Sequence, residues 1–234
     1  MLTEQFWKKY FVDYDILNEL IPYQDLLKTI DKELCVQPEE MVLDAGAGTG
    51  NVGAWLTQKG ARIVGFDFSK EGLEIHKKKM PNAKVVQGDL TKPLPFTDNA
   101  FDKIVSNNTL YTITKDKRLD ILRELYRVLK PGGIIVVSNI TVGFSPLKIY
   151  IAHVKEGVRR NGWLQAFLRL LKFIAPTIRI FYYNYLIKKE HEGGAYNFFE
   201  TGEQSHLLQS AGFTNISKDI SVYANNAVLN SAHK

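Results

Sequence analysis

Between residues 41 and 140, short apolar runs alternate with helical patterns, and this alternation restricts the fold more than any other feature of the chain. MVLDAG (41–46), RIVGFD (62–67), KVVQGD (84–89), FDKIVSN (101–107) and IIVVSN (134–139) read as strands. Between them, helices are expected from Asn51 to Lys59, from an N-cap at Ser69 through Lys79, and over 116–129. The last of these sets Leu119, Leu122, Leu125, Tyr126 and Leu129 on one face. Pro131-Gly132-Gly133 is expected to turn the chain into the fifth strand. Apolar strands spaced by helices imply a parallel sheet covered on both faces and joined by right-handed crossovers. Ligands of such sheets sit beyond the carboxyl ends of the strands. Asp44, Asp67, Asp89 and Asn107 each end or follow a strand, so the fold is expected to gather them in one place.

The flanks divide the 234 residues further. Residues 1–40 read as an N-terminal helical cap, divided near Pro22, ahead of a core over 41–140. Residues 201–213 read as a helix stopped by glycine, and strands are expected over 215–220 and 224–231. A C-terminal part, 196–234, would therefore complete the sheet after a helical insertion over 141–195, with two helices separated at Pro176. The insertion carries the chain's basic character. Residues 141–194 hold nine Lys/Arg against Glu156, Glu190 and Glu192, so this segment is +6 while the whole chain is +5. It also holds nine of the 27 aromatic residues. Cys35 is the single cysteine, which excludes an internal disulfide, and no metal site is expected. MLTEQFWKKYFVDYD lacks the apolar core of a signal peptide, and no run of 18 apolar residues exists. A cytoplasmic protein is expected, with peripheral contact at a membrane face open to it.

The loop DAGAGTGNVG (44–53) admits two registers. Gly46, Gly48 and Gly50 spell G-x-G-x-G, whereas Gly48, Gly50 and Gly53 spell the dinucleotide pattern G-x-G-x-x-G. Glycines let the backbone approach either ligand, so charge is the discriminator. Asp44 immediately precedes the loop and would repel a pyrophosphate. The sulfonium and ammonium groups of S-adenosylmethionine suit a carboxylate there. Asp67 lies 21 residues beyond Gly46, a spacing suited to ribose hydroxyls, and Asp89 offers an acceptor to an adenine amino group.

The ordered series VLDAGAGTG, GFDFS, QGDL, FDKIVSNNTLY and LRELYRVLKPGGIIVVSN resembles the successive motifs of class I S-adenosylmethionine-dependent methyltransferases. It is most similar to the branch of ubiquinone/menaquinone-biosynthesis and small-molecule enzymes. The resemblance covers residues 40–140 well, 200–234 weakly and the insertion not at all. It implies an α/β, Rossmann-like class I fold, with a seven-stranded, mostly parallel sheet of order 3-2-1-4-5-7-6 and strand 7 antiparallel. It implies further that Asp44, Gly46, Gly48 and Gly50 wall the methionine moiety and that Asp67 binds the ribose, with Phe68 beside the adenine. Asp89 and Leu90 would hold the adenine edge, and Asn107 would face the methyl-transfer point. Tyr14, or Tyr10, would close over the cofactor from the N-terminal helices.

Methyl transfer from a sulfonium relies largely on alignment and needs a base only when the acceptor must lose a proton. No catalytic base is assigned. Tyr111, His153, His191 and Tyr196 are candidates for the acceptor side, each with a purely structural alternative. SNNTLY (106–111) lacks the Pro-Pro that marks methylation of exocyclic amines and amides in related enzymes. The aromatic segment 145–189 reads as a lid, as an interfacial element on an anionic membrane, or as a nucleic-acid contact. The first two favour a small apolar acceptor such as a lipid, quinone or isoprenoid-like metabolite. An RNA methyltransferase and an NAD(P)-dependent oxidoreductase are the alternatives, and a cofactor-binding regulator without turnover is a further one.

Overall fold

The computed structural model describes residues 9, 15–165, 171, 174–180, 182–183 and 197–234. Tyr10, Tyr14, His191 and Tyr196 lie outside the described residues, as do parts of the basic segment.

A 3-10 turn, Asp15–Glu19, leads into α1, Ile21–Leu34. Pro22 sits in the first turn of α1, where its missing N–H costs nothing, so it starts this helix. Then follow β1 (Met41–Ala45), α2 (Asn51–Thr57), β2 (Arg62–Asp67), α3 (Lys70–Lys79), β3 (Lys84–Gln87) and β4 (Phe101–Asn107). After a 3-10 turn, Leu110–Thr112, come α4 (Lys115–Val128), β5 (Leu129–Ile140) and α5 (Pro146–Asn161). The described chain ends with α6 (Glu203–Ser210), β6 (Ile220–Val222) and β7 (Ala227–His233).

The seven strands form one sheet of order β3-β2-β1-β4-β5-β7-β6, as the resemblance implied. Strands β1 to β5 are parallel, and β7 runs antiparallel to both β5 and β6. Side chains alternate between the faces. Leu43, Ile104, Ile135 and Val137 face α4 and α6, together with Phe66, Phe199 and Phe213. Val42, Ile63, Val105 and Val136 face α1, α2 and Ile149 of α5. Asp44 shares the parity of Val42 and so points toward the α2 layer.

Several boundaries differ from expectation. α2 stops at Thr57 rather than Lys59. β5 starts at Leu129 and runs through Pro131-Gly132-Gly133, which forms an irregularity in the ladder: pairing jumps from Phe101↔Leu129 to Lys103↔Ile134. The last two strands begin five and three residues later than their sequence patterns suggest, and each ends two residues later. Their hairpin turn, Tyr223-Ala224-Asn225, holds three left-handed residues with φ of 54°, 55° and 60°, and none is glycine. Finally, residues 174–180 are helical on both sides of Pro176. The break among the described residues falls at Gly162, whose φ of 80° ends α5. Proline is tolerated in the first turn of a helix, where its missing N–H has no partner to lose, whereas a glycine at positive φ turns the chain away.

Candidate functional site

The carboxyl ends of β1, β2 and β4 converge on the glycine loop. Gly46 donates its N–H to Phe66 O at 2.8 Å, and Ala47 donates to the same oxygen at 3.0 Å, so the loop is sewn to the end of β2. Gly46 has a φ of 86°, and a Cβ there would lie 2.1 Å from Thr109 Oγ1, leaving no room for a side chain. Gly50, with a φ of 78°, begins α2, and a Cβ there would strike His76. Gly48 differs: among the described residues nothing lies within 4 Å of a Cβ built there, which marks the open side of the loop.

Asp67 stands at this opening. Its Oδ2 accepts the Gly48 N–H at 2.8 Å and its Oδ1 accepts the Ser69 N–H at 2.7 Å. Burial pushes the carboxyl up, opposed by the N–H groups of Ser69 and Gly48. A carboxylate offers about four acceptor sites, so capacity remains for two hydroxyl donors. Phe68, next in the chain, is 75% exposed, an unusual position for a phenylalanine and a free aromatic face beside Asp67. Gly88 donates to Asp67 O at 2.9 Å, bringing the exit of β3 to the same place.

Asp89 does not end β3, which stops at Gln87. It lies in the following turn, where its Oδ1 accepts both the N–H and the hydroxyl of Thr91 at 2.8 Å. These bonds hold its carboxyl below the usual range, and both are made to Oδ1. Leu90 is buried with Phe66 and Leu94 in the core, so only its main chain can serve a ligand. Asn107 ends β4, and its Oδ1 accepts the Ser138 hydroxyl at 2.5 Å, tying β4 to β5.

Asp44 is 1% exposed and lies beneath the loop, where its Oδ2 accepts the Gly53 N–H at 3.2 Å. Burial pushes its carboxyl up to about 7, opposed by the Gly53 N–H and reinforced by the charge of Asp67. It holds the first turn of α2 and acts on the opening through the loop, not as an exposed wall.

Several parts of the site have no motif in the sequence. Asp15, in the N-terminal turn, accepts the Thr49 hydroxyl and the Lys79 ammonium at 2.7 Å each, latching the N-terminal segment to the loop. His76 is fully buried beneath Gly50 and Gly65, with neither ring nitrogen hydrogen-bonded among the described residues. Burial, then Lys79 and Lys77, lower it to about 4, so it is a neutral filler. An aromatic row follows β4: Tyr111 stacks on Phe198 with centroids 5.9 Å apart, and Phe198 meets Phe144 at 6.0 Å. Arg118 fixes this row. Fully buried, it donates to Leu110 O at 3.2 Å, to Glu203 Oε1 at 2.6 Å and to Asn197 O, with its guanidinium 3.9 Å from the Phe199 ring centroid. Of the acceptor-side candidates, Tyr111 lies in the row. His153 instead accepts the Ile21 N–H at 3.1 Å and caps α1.

A sheet of this order, a glycine loop sewn to β2 and an acid at the end of β2 define the chain as a class I S-adenosylmethionine-dependent methyltransferase, and it belongs to that family. A family model described as a methyltransferase domain matches residues 43–137. The chain is 30% identical over 216 residues to the demethylmenaquinone methyltransferase of Staphylococcus saprophyticus, covering 87% of this chain and 84% of that protein. That likeness puts it in the ubiquinone/menaquinone-type branch. It is 36% identical over 109 residues to an uncharacterized methyltransferase of Synechocystis, spanning about half (51%) of that protein's length. The fold is similar to S-adenosylmethionine-dependent methyltransferases of Mesorhizobium loti (TM-score 0.62, 18% identity, covering 93% of this chain and 100% of that one) and Aquifex aeolicus (TM-score 0.60, 17% identity, covering 93% and 91%).

The cofactor is S-adenosylmethionine, and the residues present suit it. The open side at Gly48, the half-buried Asp67 and the bare ring of Phe68 match a nucleoside, while the buried acid beneath the loop disfavours a pyrophosphate.

Proposed function

We propose that this enzyme methylates a small apolar ring compound of the demethylmenaquinone kind. The observation that carries the reading is the aromatic row Tyr111–Phe198–Phe144, held beyond the carboxyl ends of β4 and β5, with Thr109, two residues before Tyr111, against Gly46 of the glycine loop. An apolar ring gains from such a wall both by burial and by offset stacking. The relative from Staphylococcus saprophyticus, whose name states that acceptor, supports the same class.

When bound, S-adenosylmethionine supplies an activated methyl group. The chain supplies position: Asp67 and the loop would hold the nucleoside, and Asp44 would bias the opening toward a cation. Tyr111, Phe198 and Phe144 would orient the acceptor ring and keep water from it. Alignment of this kind accounts for much of the catalysis of a displacement whose leaving group is already activated.

The test is a labelling experiment with methyl-labelled S-adenosylmethionine, offered either a demethylmenaquinone-type quinol or a cell extract. Label in the organic phase with the quinol, lost in Phe198→Ala, is the expected outcome. Label only in ribonuclease-sensitive precipitate would replace this reading with an RNA methyltransferase, and no labelled quinol would end it.

A further inference from the structure

Hydrophobic exposure is concentrated in one region. Of the eleven large hydrophobic side chains exposed among the described residues, ten lie between Val142 and Tyr182, and the other is Phe68 of the cofactor site. On α5 they form a pattern. Leu147, Ile151 and Val158 fall within about 40° of one another around the helix axis at 3.6 residues per turn. Leu147 is 65% exposed and Ile151 57%. Lys148, Lys155 and Arg159, also exposed, occupy an adjoining sector of about 40°. The opposite side of α5, with Ile149, His153 and Gly157, is buried against the body of the protein. An outward apolar ridge thus runs beside a basic one. A second apolar stripe, Ile174, Ile178 and Tyr182, has the helical spacing of four and stands exposed. It is joined to α5 through the Tyr150–Thr177 hydroxyl contact.

We infer that α5 and the stripe of Ile174, Ile178 and Tyr182 dock the enzyme on an anionic lipid surface, with the aliphatic side chains in the acyl boundary and the lysines at the headgroups. Charge selects this occupant. The segment 141–194 is +6, which suits anionic headgroups. A second copy docking face to face would set basic ridge against basic ridge. Of the two apolar stripes only Tyr182 offers a nucleic-acid base an aromatic face to stack on, the other five side chains being aliphatic. Among the described residues no helix is long and apolar enough to cross a membrane, so the contact is made in the interfacial plane. The inference does not depend on the acceptor's identity.

The test is flotation of the full chain with equimolar phosphatidylglycerol/phosphatidylcholine vesicles and with pure phosphatidylcholine vesicles, with no acceptor present. Binding to the anionic vesicles that weakens with salt is expected. K148Q/K155Q should lower the partition roughly fivefold for each lysine removed. L147S/I151S should lower it by at least about tenfold, since two buried aliphatic side chains are lost. Both variants change exposed residues away from the loop, and an unchanged melting-temperature rise with S-adenosylhomocysteine verifies that they remain folded. Failure to bind anionic vesicles at low salt, or equal binding by the folded variants, overturns the inference. So does a dimer, or an RNA complex, that L147S/I151S abolishes while vesicle binding persists.

Discussion

Asp67 holds two backbone N–H groups with the same two oxygens that are proposed to take the ribose hydroxyls. Asp67→Ala removes the ligand's acceptors and frees the Gly48 N–H at once. Hydrogen bonds to a charged group contribute about 1.5–3 kcal/mol each, so the affinity for S-adenosylmethionine should fall by at least about tenfold in calorimetry. Unchanged affinity would remove Asp67 from the site. Asp44 gives a pH dependence whose sign is fixed. Its folded pKa of about 7 lies above its model-compound value of 3.8, so the folded protein holds the extra proton. The stability this lends is complete below pH 3.8 and is lost as pH rises through about 7. The shift corresponds to an upper limit of about 4 kcal/mol. Asp44→Asn should therefore flatten the fall in melting temperature of the ligand-free enzyme between pH 5 and pH 8. Affinity for the cationic cofactor should rise from pH 5 to pH 7 in the native enzyme and stay level in the variant. A parallel pH profile in both would acquit Asp44. At this scale the places of Asp44, Gly46, Gly48, Gly50 and Asp67 around the loop were legible, because motif spacing along one chain reports a loop between a strand and a helix. Asp15, His76 and Arg118 were not, because their partners lie 34 residues away (Asp15 to Thr49), under a loop, or on another element.

Among the elements, the loop between β4 and α4 depends on a clasp formed far away in sequence. Arg118 of α4 joins the Leu110 turn, the Asn197–Phe199 segment and α6. Breaking a buried ion pair by removing one partner costs about 3–5 kcal/mol. Because Glu203 is partly exposed, Arg118→Met should cost about 3 kcal/mol, at the low end, read as a lower urea midpoint. The aromatic row should loosen with it. The KM for the apolar acceptor should then rise while the dissociation constant for S-adenosylhomocysteine stays within about twofold, since a change below about 0.5 kcal/mol is expected at a distant site. A stable variant with unaltered KM would show that the clasp does not order the row. Strands β1 to β4 were read to within two residues, because continuous apolar runs such as RIVGF permit little else, whereas β5 begins five residues earlier than its apolar run. The C-terminal strands were displaced, because a hairpin turned by left-handed Tyr223, Ala224 and Asn225 gives no glycine signal.

For the whole molecule, cofactor binding and folding are one equilibrium. Saturation at a hundredfold over the dissociation constant stabilises by about 2.7 kcal/mol. For a domain of 150–250 residues this corresponds to a rise of about 5–10 °C in melting temperature. S-adenosylhomocysteine should produce it in scanning fluorimetry and NADH should not; the reverse result would reinstate the dinucleotide register of the glycine loop. The order of elements and the parallel sheet were read from sequence alone, and a sulfonium nucleoside was favoured there over a dinucleotide. They rest on local periodicity and on the charge of a residue adjoining the glycine loop, and neither requires distant contacts. Tertiary structure decided that Asp44 works from beneath the loop, that His153 caps a helix, and that Tyr111 finds Phe198 and Phe144. It also decided that α5 turns an apolar ridge outward beside its lysines. Each of these depends on which face of an element packs against which neighbour, and periodicity yields a face without naming its partner.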